Sequence, residues 1–281
     1  MPAEPSNTEI GYPRVKNHLS RFSNEIMPPV LLIGFVLFAW QIFASRSGLS
    51  DFILPSPSQI IRAGWETRAL LAGSIAITML ETILGLAIAI VFGLLIAGAM
   101  DLSPVVRRAF YPILVASQTV QILAIAPLFI IWFGFGLLPK VIIVVLICFF
   151  PLAVSTADGL ASADADLVAL LITMGAKRGQ IWRMVRLPSA LPSFFSGLRI
   201  AVTYSVVGAT IGEWVGGSAG LGLYMLRSKN ALATDQVFVA IAITTGISIG
   251  LFLLITLIER AMLPWYYAAR RAEQWEQAGI Y

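Results

Sequence analysis

The stretch LVALLITMGAKRGQIWRMVRLP, Leu167–Pro188, carries four cations (Lys177, Arg178, Arg183 and Arg186) in a chain that is otherwise strongly apolar. It is the long segment of the second half that cannot sit in a bilayer. Placing it therefore separates the apolar runs on either side and decides which loops share one membrane face. Over the whole chain 58% of residues are hydrophobic and 12% charged, with a mean hydropathy of +0.85. Soluble domains carry about 25% charged residues. The shortfall, with the long apolar runs, predicts an all-α polytopic membrane protein.

A spanning helix needs about 20 apolar residues. Runs of that kind lie near Pro29–Ala44, Ala72–Met100, Phe110–Phe133, Leu138–Ala157, Leu191–Val215 and Val237–Leu263, which predicts six spans. With the N-terminus inside, the cytoplasmic loops collect Arg14, Lys16, Arg21, Arg107, Arg108, Lys177, Arg178, Arg183, Arg186, Arg260, Arg270 and Arg271. The outer set is Arg46, Arg62, Arg68, Lys140, Arg227 and Lys229, so twelve cations face six, and Arg199 lies near the inner end of the fifth span. That bias places both termini in the cytoplasm. Residues 1–28 are polar and contain proline, which predicts a cytoplasmic tail rather than a secretory signal. Residues 29–265 form the transmembrane unit, and 266–281 a second cytoplasmic tail. Cys148 lies alone in an apolar run and His18 in the polar tail, so neither a disulfide framework nor a Cys or His metal site is expected. The net charge of +4 needs no nucleic acid to explain it.

The loop 158–188 is too long for a plain connection. Asp164 or Ser162 can cap a helix in which Leu167, Leu170, Leu171 and Met174 recur at helical spacing. Gly175 can end it in a left-handed conformation. A second helix, Arg178–Arg186, places Ile181, Trp182 and Val185 on one face, and Pro188 is expected to stop it. Such a pair can lie at the headgroups of anionic lipid, or its apolar seam can enter a groove on a cytoplasmic partner.

Within the spans, Gly208, Gly212 and Gly216 are spaced four apart, as are Gly246 and Gly250. Small residues at that spacing let helix backbones approach, either inside one chain or between subunits. Intramembrane ionisable groups usually face a cavity or a partner, which singles out Glu81 and Glu213. Glu81 fits a carboxylate bonded to another span. Glu213 precedes the glycine run of Gly216–Gly222, which can form a re-entrant turn beside a pathway or a structural turn whose amides bind the carboxylate. Tyr204, Trp214, Trp132 and Phe133 are packing or belt residues, or stacking partners for a planar solute.

The loop resembles the "EAA" loop of bacterial ABC importer permeases, the membrane subunits of ATP-driven uptake systems. That pattern runs Glu-Ala-Ala, three residues, Gly, nine residues, Ile-x-Leu-Pro. Here Gly175 is followed after nine residues by Val185-Arg186-Leu187-Pro188, while the Glu-Ala-Ala positions hold Ala169-Leu170-Leu171. The absent glutamate removes any salt bridge the family makes from that position. ILPSPSQI (Ile53–Ile60), APLFIIWFGFG (Ala126–Gly136), LPSALPSFFSGLRIA (Leu187–Ala201) and IGEWVGGSAGLG (Ile211–Gly222) resemble the branch that imports sulfonates, taurine, nitrate and thiamine precursors. The resemblance implies the type I importer fold in a bacterial inner membrane. It also implies a second permease copy as a homodimer, a pair of cytoplasmic ATPases carrying ATP and Mg, and a periplasmic or lipid-anchored substrate-binding protein. It assigns the ATPase contact to Leu171, Met174, Gly175, Ala176, Lys177, Arg178, Ile181, Trp182, Leu187 and Pro188. The chain has no GxxxxGK[ST] loop, so no nucleotide is expected on it, and it is a transport subunit rather than an enzyme. IGEWVGG leans towards a pyrimidine thiamine precursor or related heterocycle; alkanesulfonate, taurine or nitrate is the alternative. A stand-alone secondary transporter predicts inverted repeats and several midplane charges, and a membrane enzyme predicts a clustered nucleophile, metal site or carboxylate pair. The sequence shows none of these patterns.

Overall fold

The computed structural model describes residues 18–46 and 53–268, and among these no strand occurs. Residues 1–17 and 269–281, which hold much of the two predicted tails, lie outside the described residues. In chain order the helices are α1 (His18–Arg46), α2 (Pro57–Glu66), α3 (Arg68–Leu102), α4 (Pro104–Ser117), α5 (Ile122–Phe133), α6 (Leu137–Ala161), α7 (Ala165–Thr173), α8 (Arg178–Ile181), α9 (Leu187–Gly216), α10 (Leu221–Asn230) and α11 (Thr234–Met262). A π-helical turn, Trp182–Arg186, joins α8 to α9. The helix that holds the first span is already wound at His18 and carries Pro28 and Pro29 within it, while its apolar spanning segment runs Met27–Arg46.

Helices α1, α3, α6, α11 and the continuous segment Arg178–Gly216 are long and apolar enough to cross a membrane. The third predicted span is broken. α4 and α5 meet at a bend of 102°. Proline does not place this bend, since Pro112 and Pro127 sit inside the two half-helices. The chain unwinds at Ser117–Gln121, where Thr119 and Val120 donate only to carbonyls three residues back (3.1 and 3.2 Å). The hydroxyls of Ser117 and Thr119 take up the carbonyls of Leu114 and Ala116 at 2.7 Å each. Polar side chains that bond local carbonyls compete with the helical ladder.

Pro188 does not end the loop's second helix, as its sequence predicts. It sits in the first turn of α9, where proline is tolerated. The wide π turn before it relieves the crowding that a proline ring imposes on the carbonyl four residues earlier.

α6 and α9 make the most extensive pairing, with α3 against α6, and α11 and α10 against α9. Small residues set these distances. A Cβ on Gly197 would lie 2.8 Å from the Pro151 carbonyl, and one on Gly159 3.0 Å from Ala190 Cα. Gly208 and Gly212 lie against the α6 backbone at Val144 and Lys140, and Gly216 lies against Ile130 of α5. This glycine stripe therefore closes contacts within the chain. By contrast, no atom comes within 4 Å of a Cβ built on Gly246 or Gly250. The core fills the middle of the bundle with Ala89, Val144, Cys148, Leu152, Val202 and Ala209. α1 is peripheral. Trp40 meets Phe238 at 5.5 Å, and Gln41 holds the Ser58 amide and hydroxyl at 3.1 Å each, while Val30–Phe38 stay exposed.

Gly197→Ala should destabilise the protein by about 1–3 kcal/mol, the usual cost of overpacking. Gly98→Ala, at a position where no atom lies within 4 Å, should be neutral or slightly stabilising. Thermal unfolding in detergent compares the two; equal melting temperatures would contradict the proposed α6–α9 contact.

Candidate functional site

The loop of the opening stretch is a built turn. Asp164 caps α7 by accepting from the amides of Asp166 (2.8 Å) and Leu167 (3.4 Å). At the other end Gly175 adopts φ +80°. Its amide donates to the Ile172 carbonyl (3.0 Å) and the Ala176 amide to that of Leu171 (2.9 Å). This double closure satisfies carbonyls that a helix end leaves free. Gln180 Oε1 then accepts from the Lys177 amide at 2.7 Å and starts α8.

Of the face formed by Ile181, Trp182 and Val185, the first two turn inward and Val185 is half-buried. Ile181 is buried, and Trp182 packs against the buried cluster that includes Met100, Leu160 and Ala190. Arg186 pairs with Asp101 at the end of α3, which anchors the π turn. What faces out is Leu167, Leu170, Ile172 and Met174 on α7 and its turn, with Met184 and Leu187 beyond. Lys177 and Arg178 are exposed beside them, and Leu171, Ala176 and Pro188 are half-buried. A cavity of about 660 Å³ opens between this loop and the α3–α4 corner, lined in part by Gly98, Asp101, Ile172, Arg178 and Trp182.

Both intramembrane acids are enclosed by their own chain. Glu81 Oε1 accepts from Lys140 Nζ at 2.6 Å, and both side chains are almost wholly buried. Lys140 is therefore an internal ion-pair partner rather than an outer loop charge. Glu213 accepts from Thr78 Oγ1 at 2.6 Å and from the Gly222 amide at 2.5 Å. Thr78 in turn accepts from the Leu221 amide at 2.9 Å. The glycine run thus folds back so that α10 begins against Glu213 and Thr78, where a carboxylate complements the positive helix end. At the opposite end of the bundle, Arg199 donates to Glu259 Oε2 at 2.8 Å and ties α9 to α11.

A second cavity, of about 320 Å³, lies at the α4–α5 break and half-way along α6 and α9. Ser117, Gln118, Phe150, Pro151, Ile200 and Tyr204 are among its lining. Of the aromatic candidates, Tyr204 reaches this cavity. Trp132, Phe133 and Trp214 are exposed elsewhere, and Trp132 and Phe133 cluster with Phe129 at 5.8 and 6.3 Å. Gln118 and Gln121 were not singled out by sequence reading. The signal was the polar stretch SQTVQ, Ser117–Gln121, inside an apolar run.

Comparison with known proteins agrees with this architecture. Residues 89–264 match the family described as "Binding-protein-dependent transport system inner membrane component". The chain is 38% identical over 244 residues to the formylaminopyrimidine transport permease protein of Halalkalibacterium halodurans, covering 86% of this chain and 97% of that one. It is 31% identical over 251 residues to the taurine transport system permease protein of Escherichia coli, covering 87% and 91%. An amino acid ABC transporter crystal structure shares the fold with a TM-score of 0.59 at 17% identity, over 70% of this chain and 95% of that one.

Removing one partner of a buried ion pair strands the other. Lys140→Met should cost about 3–5 kcal/mol. Adding Glu81→Gln should recover part of the loss, read as a rise in melting temperature of the double variant over the single. A double variant no more stable than the single would mean that the pair does not carry the cost.

Proposed function

The chain belongs to the family of binding-protein-dependent transport system inner membrane components, and on that premise we propose the solute, partners and coupling contact of this ABC importer permease. As a member it is a multi-pass inner-membrane transport subunit and not an enzyme. The solute is a pyrimidine thiamine precursor or a related heterocycle. The observation that carries this is the 38% identity to a formylaminopyrimidine permease along 97% of that protein's length. The taurine permease is more distant at 31%, so a sulfonate, taurine or nitrate solute is the second reading.

Two copies of the chain form the path. A substrate-binding protein delivers solute from outside, and a pair of ATPases holding ATP and Mg acts from the cytoplasm, where both termini lie. The contact with the ATPase centres on Gly175. Leu170, Ile172 and Met174 supply an exposed apolar surface, Lys177 and Arg178 flank it, and the turn presents them in fixed geometry. Ile181 and Trp182 act from behind, seating this surface on the bundle. A helix end that inserts into a partner's groove needs this division between an anchored inner face and a free outer one.

Vesicles containing the chain, its ATPase and its binding protein should take up a labelled aminopyrimidine only when ATP is inside, and should ignore taurine. Uptake of taurine alone would overturn the heterocycle reading. Gly175→Val should insert and dimerise normally but lose most ATP-driven uptake, because a β-branched residue resists positive φ. Wild-type uptake by that variant would remove Gly175 from the contact.

A further inference from the structure

We propose that the cavity at the α4–α5 break is a solute-binding station selective for uncharged planar solutes, with Gln118 and Tyr204 as its specificity-determining residues. This rests on the heterocycle reading above and names where the solute is recognised inside the membrane subunit.

Several observations converge on this cavity. It lies half-way along α6 and α9, hence near the middle of any bilayer those helices cross. Irregular backbone at that depth is tolerated only where protein or water covers it, so the unwound Ser117–Gln121 segment marks a polar lining. The volume of about 320 Å³ lies at the lower end of small-molecule sites.

The side chains also have free bonding capacity. Ser117 and Thr119 satisfy local carbonyls. Among the described residues, no hydrogen bond is made by the Gln118 side-chain amide or the Tyr204 hydroxyl. A primary amide offers both donors and an acceptor, which matches the paired donor and acceptor edge of an amino- or oxo-substituted ring. Phe150 and Tyr204 add aromatic faces from α6 and α9. In hydrocarbon surroundings these unfilled groups are costly unless a polar molecule visits them.

The lining also excludes the alternative class. Among the described residues, no Lys or Arg lines this cavity. The cations of α6 and α9, the two long helices that line it, are already engaged: Lys140 by Glu81, and Arg199, one residue before Ile200, by Glu259. A sulfonate or nitrate would enter a low-dielectric site with no charge partner, whereas an uncharged ring would not incur that cost.

The test uses the complete complex in vesicles, with labelled aminopyrimidine and taurine as solutes. Gln118→Leu and Tyr204→Leu should each lower aminopyrimidine imported per ATP hydrolysed about tenfold, the effect of one lost hydrogen-bonding or stacking contact. A defect of assembly alone would lower uptake and hydrolysis together and leave that ratio unchanged. Gln118→Glu preserves shape and serves where the leucine variant does not assemble; it should show the same loss. An unchanged ratio in all variants, with aminopyrimidine still imported, would overturn the station while leaving the solute reading intact. Import of taurine and not aminopyrimidine by the unaltered chain would overturn both.

Discussion

Backbone-to-backbone approach of α6 and α9 is the contact on which the other helices depend. Lipid tails are as apolar as leucine, so helices in a bilayer gain little from hiding greasy side chains from one another. They gain by touching closely enough to make many dispersion contacts, and only small residues allow that. Gly159 and Gly197 bring α9 onto α6 near the loop, and Gly208 and Gly212 do so towards the far end. α3 uses the same device with Gly85 and Gly93 against Val144 and Leu152. The result is a three-helix centre whose spacing is fixed over nearly its whole length.

Polar contacts hold the register of that centre rather than its closeness. Glu81 with Lys140 joins α3 to α6, and Thr78 with Glu213 joins α3 to α9 while also seating α10. Asp101 with Arg186 and Arg199 with Glu259 repeat the arrangement towards the loop end. Each pair leaves an uncompensated group if the helices slide, which penalises alternative registers more than it stabilises the correct one. Among the described residues no such tie holds α4 and α5 near their break, and the midplane cavity opens there.

The spans and the loop turn were legible because hydropathy and the Gly175 position are local signals. The apolar runs mark α3, α6, α9 and α11 to within a few residues. What could not be read locally was orientation about a helix axis. Ile181, Trp182 and Val185 form an apolar face, but a face of that kind serves equally to enter a partner or to rest on its own bundle, and in the fold Ile181 is buried and Trp182 packs against the bundle's own core. Lys140 stands at the edge of an apolar run, so it reads as a loop charge; its partner lies 59 residues away. The break in the third span was present as SQTVQ, yet four polar residues do not outweigh the apolar residues around them in an average over a span length.

The π turn at Trp182–Arg186 has a consequence for phase. A helix advances by about 100° per residue, and the wide turn accommodates the chain between α8 and α9 without ending the helix. The azimuth of α7 and Gly175 about the α9 axis is therefore set by the number of residues in this turn. With one residue fewer, Arg186 would leave Asp101 and Trp182 would swing off the core cluster it packs against. Leu170 and Met174 would then point about a quarter-turn away from their present direction. Substitutions in this segment leave that phase intact, whereas an insertion or deletion of one residue resets it. The turn's length, more than its composition, is the quantity the fold must conserve.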